Sequence, residues 1–135
     1  MKDNNPKIGV AVKCLLLNGE NILLVRQVKD HDNFWIAPGG KCEVGETLSA
    51  CLIREMIEEL NLSIESTDQF TEFDSEWQGR KDRLHCFACQ VSGREFVINP
   101  QEIREAQWFH LNALPPLGPT TMKILQLWRE QKPRL

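Results

Sequence analysis

Residues 39–62 read GGKCEVGETLSACLIREMIEELNL, and the reading of this stretch decides the rest. From Thr47 to Leu60 there is no Gly or Pro, so nothing in it interrupts a helix. At about 100° per residue, with Leu48 at zero, Leu52, Met56, Leu60, Ile53 and Ile57 spread over roughly 40° to 180° and predict the buried face. Glu59 and Glu55 fall at roughly 20° and 340°, between Leu52 and Cys51, with Glu58 beside them at roughly 280°. At least two carboxylates therefore interrupt the apolar arc instead of lying opposite it. Like charges at i, i+3 and i+4 repel by a few tenths of a kcal/mol when exposed, and partial burial raises that cost. A cation must offset the cluster. Hard oxygen ligands select Mg²⁺, Mn²⁺ or Ca²⁺ over Zn²⁺. Mg²⁺ binds carboxylates together with water and phosphate oxygens, which points to a phosphate-handling site. The preceding glycines, Gly39, Gly40 and Gly45, are expected to adopt positive φ and to let the backbone approach a ligand.

Outward from the helix, the pattern alternates strands with two helices. The apolar run at 8–17, the Asn18-Gly19 turn signal and residues 21–27 predict a hairpin. Phe34-Trp35-Ile36 reads as a short strand stopped by a turn at Pro38-Gly39-Gly40. A second hairpin is expected over roughly 68–78 and 82–91, turning near Gln78-Gly79-Arg80, and a late strand over 106–110. Residues 120–131 predict a helix with Met122, Leu125 and Trp128 on one face. The order implies an α/β fold: a mixed β-sheet covered by helices.

The chain has 135 residues, which fits one domain, and we read 1–135 as a single unit. Sixteen Lys and Arg stand against 19 Asp and Glu, a net charge of −3, so a broad basic nucleic-acid surface is excluded and a nucleic-acid partner is not expected. Without Glu55, Glu58 and Glu59 the count is 16 acids against 16 bases, so the excess equals one helix face in number. The apolar run near the start, broken by Lys13, is too short to span a bilayer and lacks a signal-peptide lead-in. A cytoplasmic protein without membrane association is the expectation. Five cysteines, at 14, 42, 51, 86 and 89, are an odd number and read as free thiols in a reducing compartment. Cys86 and Cys89 lie three apart on a predicted strand and face opposite sides, which argues against a shared metal or disulfide. His31, His85 and His110 are too scattered to propose as zinc ligands, and Arg80, Lys81 and Arg83 read as a solvated turn.

Gly40, Glu46, Arg54, Glu55, Met56, Glu58, Glu59 and Leu62 together resemble the Nudix box, G-x5-E-x7-R-E-U-x-E-E-x-G-U with U a bulky aliphatic. The one departure is Asn61 in place of Gly, at a position that follows the helix end and calls for left-handed backbone, where Asn is the best substitute. The resemblance implies the Nudix-like α/β/α sandwich and hydrolysis of a pyrophosphate bond in a nucleoside diphosphate linked to another moiety, such as a nucleoside triphosphate or a nucleotide sugar. It implies Mg²⁺ as cofactor, with Mn²⁺ an alternative, held by Glu55, Glu58, Glu59 and the Gly39 carbonyl. Gly40, Glu46 and Arg54 take structural roles, the last two as an ion pair bracing loop against helix. Glu58, Glu59 and a later-loop glutamate are the candidate bases. Glu102 fits that last place by its spacing to Trp108, with Glu105 and then Glu95 behind it.

Substrate contacts lie outside the box: Arg26 for a phosphate, and Phe34, Trp35 or Trp77 for stacking on a base. The chain has no tyrosine, so the tyrosine of the dinucleoside-polyphosphate subgroup is missing. A proline of the ADP-ribose subgroup and the upstream motif of the coenzyme A subgroup are not seen either. A small-molecule nucleotide is the expected partner, and a homodimer is compatible with the resemblance. The competing class is a non-catalytic nucleotide-sensing module of the same fold. An RNA 5′-end pyrophosphohydrolase is disfavoured by the acidic balance.

Overall fold

A computed structural model describes residues 8–77 and 79–131. The apolar run near the start becomes strand β1, Gly9–Asn18, whose side chains alternate between two cores. Val12, Cys14 and Leu16 enter one core, and Ala11, Leu15 and Leu17 enter the other, as a strand buried on both faces requires. β2 spans Asn21–Gln27, β3 Gly39–Lys41, β4 Ser66–Trp77, β5 Arg80–Gln90 and β6 Ile103–His110. Helix α1, Leu48–Leu60, covers the first core and helix α2, Pro119–Gln131, the second. The strand order is β4-β5-β1-β2-β6 with β3 also on β1, and only β1 and β5 run parallel. The mixed sheet between two helices is the expected α/β/α sandwich.

Both hairpins, the late strand and both helices form near the predicted bounds. The first hairpin is short: β1 and β2 pair only from Leu16–Leu23 to Asn18–Asn21 and then part. Into that fork comes the segment read as a turn. Ile36 exchanges backbone hydrogen bonds with Val25 at 2.9 Å on the β2 side. Cys14 N–H donates to the Pro38 carbonyl at 2.9 Å, and Gly39–Lys41 pair with Lys13–Ala11 on the β1 side. Pro38-Gly39-Gly40 is therefore extended backbone between two strands, not a break. Trp35 and Ile36 make isolated bridges to Leu117 and Val25 instead of a strand. The sequence signal misled because Gly is a turn former when nothing else is known, whereas here close packing selects it.

The buried side of α2 is Thr121, Ile124 and Leu125, with Trp128 packed against them. Met122, predicted on that face, is exposed. On α1, Leu52, Met56 and Leu60 are fully buried as expected, but Ile53 and Ile57 are each 49% exposed. The buried arc is thus turned away from the isoleucines and toward the acids.

Candidate metal and phosphate site

Thr47 caps α1: its side-chain oxygen accepts from Ala50 N–H at 3.1 Å. At the other end Asn61 sits at φ 52°, ψ 39°, the left-handed geometry expected of it; its N–H donates to the Ile57 carbonyl at 3.0 Å and the Leu62 N–H to the Met56 carbonyl at 3.2 Å. Between these ends the helix carries the acids. Glu55 is 8% exposed and Glu59 4% exposed, while Glu58 lies at the surface. Burial, and then the Glu55 charge, push Glu59 up to about 8. Burial also raises Glu55, against the pull of Arg54. One Glu59 oxygen, Oε2, is buried without a hydrogen-bond partner among the described residues. A core leaves such an atom unmatched rarely.

Arg54 organises what surrounds them. Its Nε and Nη2 donate to Glu46 at 2.7 and 2.9 Å as a two-pronged pair. Nη1 donates to Glu55 at 3.0 Å and Glu58 at 3.2 Å, and Nη2 also donates to the Lys41 carbonyl at 3.1 Å. The Arg54 hydrogen bonds hold the Glu46 carboxyl down at about 2, and Glu46 in turn raises Arg54. The pair ties the 41–46 loop to the helix.

The two glycines in the fork are required sterically. A Cβ on Gly39 would overlap the Val12 carbonyl, and a Cβ on Gly40 would overlap the Glu55 carboxylate. Neither has positive φ; of the three loop glycines only Gly45 does, at 82°. The expectation of positive φ at 39 and 40 is corrected: these positions need absence of a side chain. The Gly39 backbone also donates to Glu59.

Glu102 approaches the group from the turn just before β6. The segment 97–103 is pinned to the end of α1, with Val97 and Asn99 N–H groups donating to the Leu60 and Glu59 carbonyls, each at 2.9 Å. The Glu102 charge raises both Glu55 and Glu59, so it lies within their electrostatic reach. Glu105 instead pairs with Arg26 at 2.8 Å. Glu95 lines a surface pocket with Asn61, Arg94, Phe96 and Val97.

The proposed substrate contacts form a second group. Arg26 stacks 4.4 Å from the centre of the Trp35 ring and donates to the Asn33 carbonyl at 2.9 Å. Trp35 is 5% exposed and meets Phe109 edge-on at 5.0 Å, so its ring is already engaged with core and arginine. Phe34 is exposed. The Trp77 side chain lies outside the described residues.

Lys13 was seen in the sequence only as a break in an apolar run. Its Nζ donates to the Ala37 carbonyl at 3.2 Å, and the Glu59 charge acts on it. A lysine inside an otherwise buried strand was the available signal, since such a charge persists only with partners. The free-thiol reading fails for two cysteines: Cys42 and Cys51 form a disulfide with Cα atoms 5.3 Å apart. Helix and fork bring the two residues together, which spacing alone does not reveal. Cys14, Cys86 and Cys89 are free and buried. Cys86 and Cys89 fall in different cores, as strand alternation requires.

A hard divalent cation fits this site. Two buried carboxylates, one with an unmatched oxygen, sit where a glycine backbone leaves room, with Glu58 and Glu102 near them. Apolar neighbours alone do not account for that oxygen. Among the described residues, the three potential ligands whose donor atoms already lie within 4.8 Å of one another are Cys42, Glu46 and Cys51, and these are engaged by the disulfide and by Arg54.

Comparison with known proteins agrees with this fold. The family model described as NUDIX domain matches residues 7–128. The NAD-capped RNA hydrolase NudC of Pectobacterium carotovorum is 30% identical over 114 residues, 84% of this chain and 43% of the relative. The chain thus spans under half the length of the curated relatives it matches. A MutT NUDIX hydrolase from Burkholderia pseudomallei superposes with a TM-score of 0.81 at 23% identity, over 90% of this chain and 98% of that one. The NUDIX domain of Shewanella oneidensis NrtR, solved with ADP ribose, gives 0.76 at 18% identity, over 96% and 93%. The name of the NudC relatives includes an RNA, in tension with the expectation against a nucleic-acid partner. Among the described residues no helix is long and apolar enough to cross a membrane.

Proposed function

This chain belongs to the NUDIX family, and from that premise we propose that it hydrolyses a pyrophosphate bond in a nucleoside diphosphate linked to another moiety. The observation that carries the reading is the buried, unmatched Oε2 of Glu59 beside the buried Glu55. Glu55, Glu58, Glu59 and the Gly39 carbonyl would hold Mg²⁺, with Mn²⁺ as a substitute. When bound, the cation supplies Lewis acidity and neutralises charge on the bridging phosphates. The chain's own groups do the rest. Arg54 holds Glu55 and Glu58 in place through Nη1. A carboxylate, Glu58, Glu59 or Glu102, accepts the proton of the attacking water. Burial lifts Glu59 to about 8 in the metal-free chain, so a cation held there would displace a proton. Arg26 reaches a phosphate if it gives up Glu105.

A nucleoside triphosphate or a nucleotide sugar is the preferred substrate class. The NudC relatives add a second candidate, an NAD-capped RNA end, because that cap also holds a pyrophosphate between two nucleoside moieties. The test is Mg²⁺-dependent turnover over nucleoside triphosphates, nucleotide sugars, NAD and NAD-capped RNA. Turnover of at least one, stopped by a chelator and strongly reduced in Glu58→Gln, is the expected result. Full activity in Glu58→Gln contradicts the assignment of that residue. Nucleotide binding without turnover of any compound supports the sensing module instead.

A further inference from the structure

The Cys42–Cys51 bond lies at the joint between the glycine fork and the acidic helix. Cys42 follows β3 directly, and its N–H donates to the Val10 carbonyl at 2.9 Å. Two residues before it stands Gly40, the glycine packed against the Glu55 carboxylate. Cys51 is fully buried and stands one helical turn before Glu55, on the same stripe as Glu55 and Glu58. The bond therefore caps the distance between the backbone at Gly40 and the helix turn that carries Glu55. Apart from it, Arg54 ties this segment to the helix through Glu46 and the Lys41 carbonyl, and Thr47 caps the helix start. Arg54 is the residue that must also hold Glu55 and Glu58. With the bond broken, Arg54 is left to tie residues 41–46 to the helix while it also holds the two acids.

We propose that Cys42 and Cys51 are a reversible thiol–disulfide site that sets the cation affinity of the acidic face, the oxidised chain being the tight-binding form. Cys42 is partly exposed and Cys51 is not, so a dithiol reductant enters at Cys42. Its thiolate attacks the Cys42 sulfur, the Sγ–Sγ bond breaks, and Cys51 leaves as thiolate and takes a proton. The second thiol of the reductant then displaces Cys42 and closes the reductant's own disulfide. The protein gains two electrons and two protons, and the dithiol loses them. Cys14, Cys86 and Cys89 are buried and in no disulfide, so gentle reduction acts on this one bond.

The proposal rests on the cation reading of Glu55 and Glu59, and its test separates the two. Thiols are counted in denaturant before and after reduction of the full chain, and Mg²⁺ binding is measured calorimetrically in each state and after re-oxidation. The expected result is three thiols rising to five. Mg²⁺ affinity falls on the order of tenfold on reduction, the scale of lost outer-shell support, and returns on re-oxidation. Cys42→Ser, at the partly exposed member, shows the weak affinity whatever the reductant. Five thiols in the untreated chain, or equally tight Mg²⁺ binding in both states, overturns the switch and leaves the cation site standing. No Mg²⁺ binding in either state overturns both.

Discussion

Glu59 is the residue on which structure and chemistry meet. Its place beside Leu52 and Met56 on the wheel was legible in the sequence, because two acids inside an apolar arc are visible from spacing alone. The depth of burial was not, since it depends on the strand fork that brings Gly39 and Gly40 over the helix. The consequence for the metal-free chain has a definite sign. Glu59 goes from an ordinary value of 4.5 to about 8 in the folded state. The folded chain thus binds the extra proton, and the stability this contributes is complete below about pH 4.5 and lost as pH rises through about 8. In a chelating buffer the thermal midpoint of the wild type is expected to fall between pH 6 and 9 more steeply than that of Glu59→Gln. Equal slopes in the two proteins count against a proton held at Glu59.

Among the elements, α1 was the most legible. The absence of Gly and Pro gave its length and Asn61 its left-handed end, while the Thr47 cap emerged only in the structure. The strand Gly39–Lys41 was not, because glycines give no β-branched or alternating signal, and their role is clearance from Val12 and Glu55. Ile53 and Ile57 misled for a related reason: the wheel locates an apolar arc but not which edge of it meets the sheet. Gly40→Ala tests the contact between strand and helix directly. The added methyl meets the Glu55 carboxylate, so a loss of about 1–3 kcal/mol in urea unfolding is expected, together with weaker Mg²⁺ binding. A variant with unchanged stability and metal affinity shows that the glycine is not needed there.

On the scale of the whole molecule, the class of fold followed from the order of strands and helices, but the path of the chain did not. β1 pairs with β5 in parallel and shares its other edge between β2 and β3, a division that comes from packing Trp35 and Ala37 under α2. The same fork sets the site, since it carries Lys13 and Gly39 to the Glu59 side of the helix. The Cys42–Cys51 bond belongs to this scale too, because it joins residues that meet only once strand and helix are assembled. On the proposed cation reading, the buried unmatched carboxylate oxygen is a stability defect kept for a function, a trade common at active sites. The most direct measurement is steady-state Mg²⁺-dependent hydrolysis of the best nucleotide substrate by wild type and Glu59→Gln, with folding of both verified. If the acidic face is the cation site, Glu59→Gln stays folded, is no less stable than wild type in chelator at pH 8, and loses activity by about a hundredfold or more. Activity within twofold of wild type in that folded variant contradicts the central claim.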